Sequence, residues 1–398
     1  MNTRIIKNSL ALVALIVGLL LLASCTGGVV ARGWAGVSMI DDTLIFATMT
    51  GKIYSVDKTG TVLGTPVNLV VSASGGLSCI PTCSGSQTRP VAMYASPGVA
   101  GDLVYFAGND GRVHAYQLVD GRLRDQTRWI YPPEGGLGSV IIGGLTVANN
   151  KVYLSSANGT VYALTAPEGY KEWSYSIGGK IWSAPAVGTD TVYIGSFDKK
   201  VYALDINTGT KKWEYETEGA ITAAPLVNDG IVYFGSYDRH MYALDTSGKL
   251  VWKFPATDNI TNSPQNWFWV TPVLQNGILY APCLDGKVYM LDAATGGFMD
   301  AIDLRYNNDK GSISSSPVIV DNTLVIAVSD LAKKTSRVYA IDTNSQGVKE
   351  LTGFTTEAIN APLFAADGIV YIHTTTDNFY GLNAQNGALQ KFSLTTSK

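Results

Sequence analysis

Short apolar runs separated by polar turns recur along this chain at a nearly fixed interval. The clearest pair of copies lies between Trp182 and Trp252. The first reads Ser183-Ala184-Pro185, then Thr191-Val192-Tyr193-Ile194-Gly195-Ser196, then Val201-Tyr202-Ala203-Leu204-Asp205, and closes on Trp213. The second reads Ala223-Ala224-Pro225, then Gly230-Ile231-Val232-Tyr233-Phe234-Gly235-Ser236, then Met241-Tyr242-Ala243-Leu244-Asp245, and closes on Trp252. A run such as Val-Tyr-Ala-Leu is apolar at successive positions, which predicts a strand covered on both faces. Following that run along the chain gives eight copies, at 53–57, 113–117, 161–165, 201–205, 241–245, 288–292, 338–342 and 379–383. The steps between their second residues are 60, 48, 40, 40, 47, 50 and 41, so the bare unit is 40 residues and the excess is insertion. A period near 40 carrying several short strands is the signature of a β-propeller. The pattern predicts an all-β chain folded as an eight-bladed β-propeller of four-stranded antiparallel blades.

Each copy reads as strands A to D. Strand A begins near Ser183-Ala184-Pro185 and should lie nearest the axis, strand B covers 191–196, strand C 201–205 and strand D 211–217. Phe197-Asp198-Lys199-Lys200 makes the tight turn from B to C. In Asp205-Ile206-Asn207-Thr208-Gly209 the carboxylate can accept backbone N–H groups ahead of it, and the glycine supplies the positive φ of a tight reversal.

These copies resemble the quinoprotein-type, or PQQ-like, propeller repeat, from Trp34 to about Leu394. The specific part is Ala203-x-Asp205-x-x-Thr208-Gly209-x-x-x-Trp213. The resemblance implies that the tryptophan docks between adjacent blades. The matching positions are Trp173, Trp213 and Trp252, with Trp129 a looser match. The sixth copy has Asp300 there, and the first, seventh and eighth lack tryptophan, so those seams should be less regular. The same repeat builds PQQ-dependent alcohol dehydrogenases, which hold a quinone and a calcium ion on the axis. The adjacent cysteine pair of many such enzymes is missing here, and their Glu, Asn and Asp ligands find no matching positions. The overall organisation also resembles the propeller lipoproteins of the β-barrel assembly machinery, which implies a scaffold that binds another envelope protein through one face.

The N-terminus has its own pattern. Arg4 and Lys7 precede an apolar run, 11–23, that is short for a permanent span and fits a signal peptide. Leu22-Ala23-Ser24-Cys25 looks like a bacterial lipobox, implying cleavage before Cys25 and lipid on its sulfur. The expected organisation is a lipoprotein signal peptide at 1–24, a lipidated tether at 25–33 and the propeller at 34–398. The product would be exported and anchored to a bacterial membrane on its periplasmic or extracellular side. An ordinary secretory signal or plain membrane anchor is the alternative. Removal of 1–24 leaves 27 cationic against 32 acidic side chains and no basic block, which argues against nucleic-acid binding. Outside the cytoplasm Cys79 and Cys83, four apart in a turn-rich insertion, are expected as a disulfide; a metal site would need further ligands. Cys283 reads as a small buried apolar residue.

Because strands alternate in direction, the D-to-A and B-to-C connections share one side of the ring. The insertions at 70–91, 255–266, 305–314 and 329–336 all fall there. Loops elaborated on one side of a rigid scaffold are where binding usually resides, although loops also tolerate length without function. Trp34, Tyr94, Trp182 and Trp269 stand in one register, three residues before the proline position, at the entry of strand A. They would form either a gripping surface at the channel mouth or a plug of apolar packing. Trp267, Phe268 and Trp269 are the residues most expected to be exposed.

No catalytic constellation emerges. His114, His240 and His373 sit in different copies, without metal-ligand spacing. No Gly-x-Ser-x-Gly elbow occurs, and Ile141 breaks the Gly136-Leu137-Gly138 run as a dinucleotide motif. The recurrent aspartates belong to turns. The expected function is therefore a non-catalytic, lipid-anchored scaffold for an envelope protein or peptide, with no cofactor and no metal. The alternatives are a PQQ- and calcium-dependent dehydrogenase, or a propeller that binds glycan or peptide at its mouth.

Overall fold

The computed structural model describes residues 35–48, 50–72, 88–256, 263–305, 311–330, 332–354 and 356–394. These residues form eight four-stranded antiparallel sheets in a ring and one two-stranded ribbon, with no helix among them. Every sheet is a simple meander drawn from one continuous stretch of chain. Blade 4 is typical, with strand A at Ala186–Val187, B at Thr191–Gly195, C at Lys200–Asp205 and D at Lys211–Glu216.

Strand A is shorter than the sequence pattern implies. Pro185 has no N–H to offer a ladder, and just before it the Ser183 side chain takes over the pairing. Its Oγ accepts the Gly195 N–H at 3.0 Å and donates to the Gly195 carbonyl at 2.9 Å. The A strands also join one blade to the next. Thr146 Oγ1 donates to the Pro185 carbonyl at 2.6 Å, and Thr271 Oγ1 to the Ala224 carbonyl at 3.0 Å. Neighbouring A strands adjoin around the ring, which makes them the innermost layer.

Strand C explains the unbroken apolar runs. Tyr202 and Leu204 pack toward blade 3 with Tyr153, Val161, Ala163 and Trp173. Val201 and Ala203 pack toward blade 5 with Val232, Phe234, Tyr242 and Leu244. Successive side chains point to opposite faces of a strand, and here both faces are seams.

Four seams share one device. The indole N–H groups of Trp129, Trp173, Trp213 and Trp252 donate to the carbonyls of Ala166, Ile206, Thr246 and Ala293, at 3.0, 3.1, 2.8 and 2.9 Å. In each case the acceptor is the residue just after strand C of the next blade. The turn glycine of that blade lies against the ring. A Cβ on Gly209, already at φ +70°, would sit 2.5 Å from Trp173. This glycine therefore answers two demands, the reversal of the chain and the close approach of the indole.

The remaining seams differ, as their missing tryptophans imply. Asp300 occupies the tryptophan register of blade 6, opposite Met290. There Tyr280 reaches toward the Thr343 carbonyl of blade 7, at 3.4 Å. Blade 8 meets blade 1 without a shared strand among the described residues. Among the described residues strand D of blade 8, Leu389–Lys391, pairs only with its own strand C. Closure rests on side chains: Phe46 stacks on Phe379 at 4.0 Å, and Phe392 packs against both Phe379 and Gly60. The buried His373 adds polar links, with Nδ1 2.8 Å from the Ala35 carbonyl and Nε2 3.0 Å from the Asp377 carboxylate.

The C-to-D turns are built as their composition implies. Asp205 Oδ1 accepts the N–H groups of Asn207 and Thr208 at 3.0 and 2.9 Å. Backbone N–H groups, those of Thr208 and Ser345 foremost, hold the Asp205 and Asp342 carboxyls below the usual range. Hydroxyls do the same for Asp245 and Asp292, through Ser247 and Thr295. A carboxyl depressed by folding lends stability that is complete above its unfolded value, roughly 4. That stability drains away as pH falls through the folded value. Thermal melts should therefore be flat from neutral pH down to about 5 and fall steeply below about 4. Asp205→Asn should make that fall shallower.

Of the insertions, the base of the first is the ribbon, Val70–Ser72 paired with Thr88–Pro90. Cys79 and Cys83 lie outside the described residues, as do Cys25 and Trp34. The 329–336 insertion is strand more than loop. It lengthens strands B and C of blade 7 to Thr323–Asp330 and Thr335–Asp342, paired out to Asp330 opposite Thr335.

Candidate binding surface

On the side where the B-to-C and D-to-A connections meet, the B-to-C turns of blades 4, 5 and 6 are each pinned by their first residue. The Phe197 N–H donates to the Lys180 carbonyl at 2.9 Å, that of Tyr237 to Ala220 at 2.9 Å, and that of Leu284 to Trp267 at 3.0 Å. Each bond holds the first turn side chain beside the chain entering strand A of the same blade. In blades 4 and 5 that side chain is aromatic, and the entering chain of blades 4 and 6 also carries aromatics.

The result is a continuous stack across three blades. Trp182 meets Phe197 edge-on at 4.7 Å, and Phe197 meets Tyr237 at 6.3 Å. Tyr237 lies parallel to Trp267 at 4.4 Å and 8°, and close to parallel with Trp269 at 5.7 Å and 19°. All five rings are half-buried. Burial pushes the Tyr237 phenol well above its ordinary value, beside Thr222. The stack is both packing and surface, since its members pack on one another and each stays partly exposed.

The second turn residue braces the stack from below. Asp198, Asp238 and Asp285 accept the hydroxyls of Tyr202, Tyr242 and Tyr289 at 2.7, 2.8 and 2.8 Å. Burial first, and then the facing carboxylate, pushes these phenols up. In blade 2 the pair is Asp110 with His114 Nε2, at 2.7 Å and almost fully buried. At Asp238 burial favours the neutral acid, but bonds from His240, Tyr242 and the Glu218 N–H outweigh it and hold the carboxyl low. These pairs are structural, since both partners face the protein.

The third turn residue, just before strand C, sets blades 4 and 5 apart from blades 1, 2, 3 and 6, although the turn of blade 7 also carries an exposed Lys334 at φ +55° there. It adopts positive φ, and blades 1, 2, 3 and 6 place glycine there: Gly51, Gly111, Gly159 and Gly286. Blades 4 and 5 place Lys199 at φ +75° and Arg239 at φ +71°, both exposed. A side chain in that region costs about 1–2 kcal/mol. Asp377 in blade 8 occupies the position too, but it receives His373.

Of the residues expected at the mouth, Trp182, Trp267 and Trp269 come together in the stack. Tyr94 is half-buried on blade 2, away from it. Phe268 departs from expectation. It is 1% exposed and turns into the seam, edge-on to Tyr289 at 5.8 Å and over Gly235. Along an extended stretch neighbours point oppositely, so a run of three aromatics cannot all face outward. Phe197 and Tyr237 were hidden in the sequence as turn residues. The available signal was an aromatic at the first turn position of two consecutive copies.

Chemistry for a metal-held cofactor does not assemble. Among the described residues no three His, Cys, Asp or Glu side chains converge on a common point. Calcium takes six to eight oxygen ligands, usually with several carboxylates, and no cluster of three such side chains stands among the described residues. Cys283 is fully buried just beyond strand B of blade 6, where burial pushes its thiol up. No helix of the described residues is long and apolar enough to cross a membrane.

Known proteins fall in line with this architecture. Outer membrane protein assembly factor BamB of Escherichia coli strain K12 is 33% identical over 97 residues, which cover 23% of this chain and 24% of that protein. The matched stretch is thus about a quarter of the curated relative's length. The crystal structure of BamB from Moraxella catarrhalis superposes with a TM-score of 0.61 at 17% identity, covering 86% of this chain and 94% of that one. Quinohemoprotein alcohol dehydrogenase from Comamonas testosteroni gives 0.60 at 15% identity, over 76% and 66% of the two chains. At these identities the two superpositions speak for the fold alone. Residues 124–223 and 157–391 match the family described as outer membrane protein assembly factor BamB. With that match over most of its length and eight four-stranded blades, the chain belongs to the BamB family of PQQ-repeat β-propellers.

Proposed function

We propose that this chain is a non-catalytic scaffold of the bacterial cell envelope that offers the aromatic side of its ring to another envelope polypeptide. The observation that carries this reading is the Trp182–Phe197–Tyr237–Trp267–Trp269 stack on a rigid ring. Aromatic side chains present large area at low entropic cost and dominate protein interfaces. Family membership supports the same reading, and the relatives' name gives it a setting, the assembly of outer-membrane proteins. In this reading residues 1–24 are removed and lipid on Cys25 ties the propeller to the membrane. Cys79 and Cys83 form a disulfide within the insertion between strands 70–72 and 88–90. No quinone, calcium or other cofactor takes part.

The test is capture of partners from envelope membranes by the lipidated protein and by a Trp267→Ala/Trp269→Ala variant, with circular dichroism checking the fold. The variant is expected to lose the wild-type partner. Unchanged capture would remove these residues from the binding surface. Addition of PQQ with calcium to the wild type is expected to give no dye reduction above the protein-free rate.

A further inference from the structure

Blades 4 and 5 combine two features that no other blade combines among the described residues. Their B-to-C turns open on an aromatic, Phe197 or Tyr237, that belongs to the stack. Two residues on, the same turns carry an exposed cation, Lys199 or Arg239, in a conformation that four other blades give to glycine. Neither cation makes an ion pair with the described residues. A strained side chain that persists without an internal partner points outward for its purpose. Asp198 and Asp238, which lie between, are spent on Tyr202 and Tyr242. Glu216 and Glu218 are the exposed acids nearby; Glu216 lies 3.9 Å from Lys200, and the Glu218 N–H is bound to Asp238. The surface here thus joins ring edges to two cations on a chain whose overall charge is negative.

We infer that this stretch of the mouth is a subsite for an extended polypeptide segment that presents aromatic side chains and carboxylates in turn at every second residue, and so on one face. The inference rests on the scaffold reading above and names the chemistry of its ligand. From Trp182 through Phe197 and Tyr237 to Trp267 the ring path is on the order of 15 Å. That length matches roughly four or five residues of extended chain at ~3.3 Å each. Aromatics of the ligand lie against the stack and its acids meet Lys199 and Arg239. Charge at such a rim acts mainly on selection and encounter, and salt weakens it.

Two labelled ten-residue peptides test this by fluorescence anisotropy, one with tyrosine and aspartate in turn at every second residue and serine between them, and its twin with lysine at each aspartate. The acidic peptide is expected to bind at least tenfold more tightly at low salt, with the advantage shrinking in 0.5 M sodium chloride. Lys199→Gly/Arg239→Gly is expected to abolish the preference without lowering the melting temperature, because glycine suits that backbone. Equal binding of the twins by the wild type, or a preference that survives in the glycine variant, overturns the inference. So does stronger uptake of the protein onto anionic lipid vesicles than onto the acidic peptide, again lost in the glycine variant, which would assign the cations to a membrane. Failure here combined with loss of partner capture in the Trp267→Ala/Trp269→Ala variant would leave the scaffold reading standing, so the two can fall separately.

Discussion

Trp252→Ala is expected to lower the free energy of unfolding by about 3–5 kcal/mol, read from urea denaturation. The indole is 7% exposed and lies in the seam between blades 5 and 6. It leans on Tyr233 at 5.9 Å and covers Gly296, so truncation opens a cavity that neither neighbour can fill. The Ala293 carbonyl also loses its 2.9 Å donor and keeps only the Tyr233 hydroxyl at 3.2 Å. Trp252→Phe preserves most of the volume but not the donor, and should cost about 1–2 kcal/mol. Trp213 is less buried, so its alanine variant should be the milder of the two alanine changes. A Trp252→Ala loss below about 1 kcal/mol would mean that the indoles fill space without locking blades together.

The second large effect is expected at the seam between blades 8 and 1. Phe379→Ala should also cost about 3–5 kcal/mol, and its damage should be local. Phe379 is fully buried between Phe46 and Phe392, and among the described residues this seam has neither an indole lock nor a shared strand. Its outer polar links, Lys58 to Asp367 and Gln390 to the Thr59 carbonyl at 2.8 Å, are exposed. Exposed pairs of this kind contribute on the order of 1 kcal/mol or less. Hydrogen exchange should accelerate in strand D of blade 8 and around Gly60, while the central strands of blades 3 to 5 stay protected. Uniform acceleration around the ring would show that the seam is no weaker than the rest.

The repeat was legible because its cause is repeated. Tyr202, Tyr242 and Tyr289 recur because each strand C is covered on both faces, and Asp205, Asp245 and Asp292 recur because each turn needs the same acceptor. Eight blades and the four tryptophan seams follow from counting such positions. What stayed hidden depends on contacts between copies. Nothing in the sequence says that Phe197 and Tyr237, 40 apart, touch through neighbouring blades, or that Phe268 turns inward between two half-exposed tryptophans. Strand A was overextended because Ser183 imitates backbone pairing with its hydroxyl, which a pattern of apolar residues does not register. The closure at Phe46 and Phe379 joins residues more than 300 positions apart and leaves no periodic trace.

Each sheet being cut from one unbroken length of chain has a consequence for how such a molecule can be rearranged. Ends introduced between any two neighbouring sheets would sever a connecting loop and no ladder of backbone bonds, while the first and last blades already lie side by side, with Phe392 against Gly60. The circle has no privileged starting point, and whole sectors can be copied, lost or shuffled as units without unpicking their neighbours.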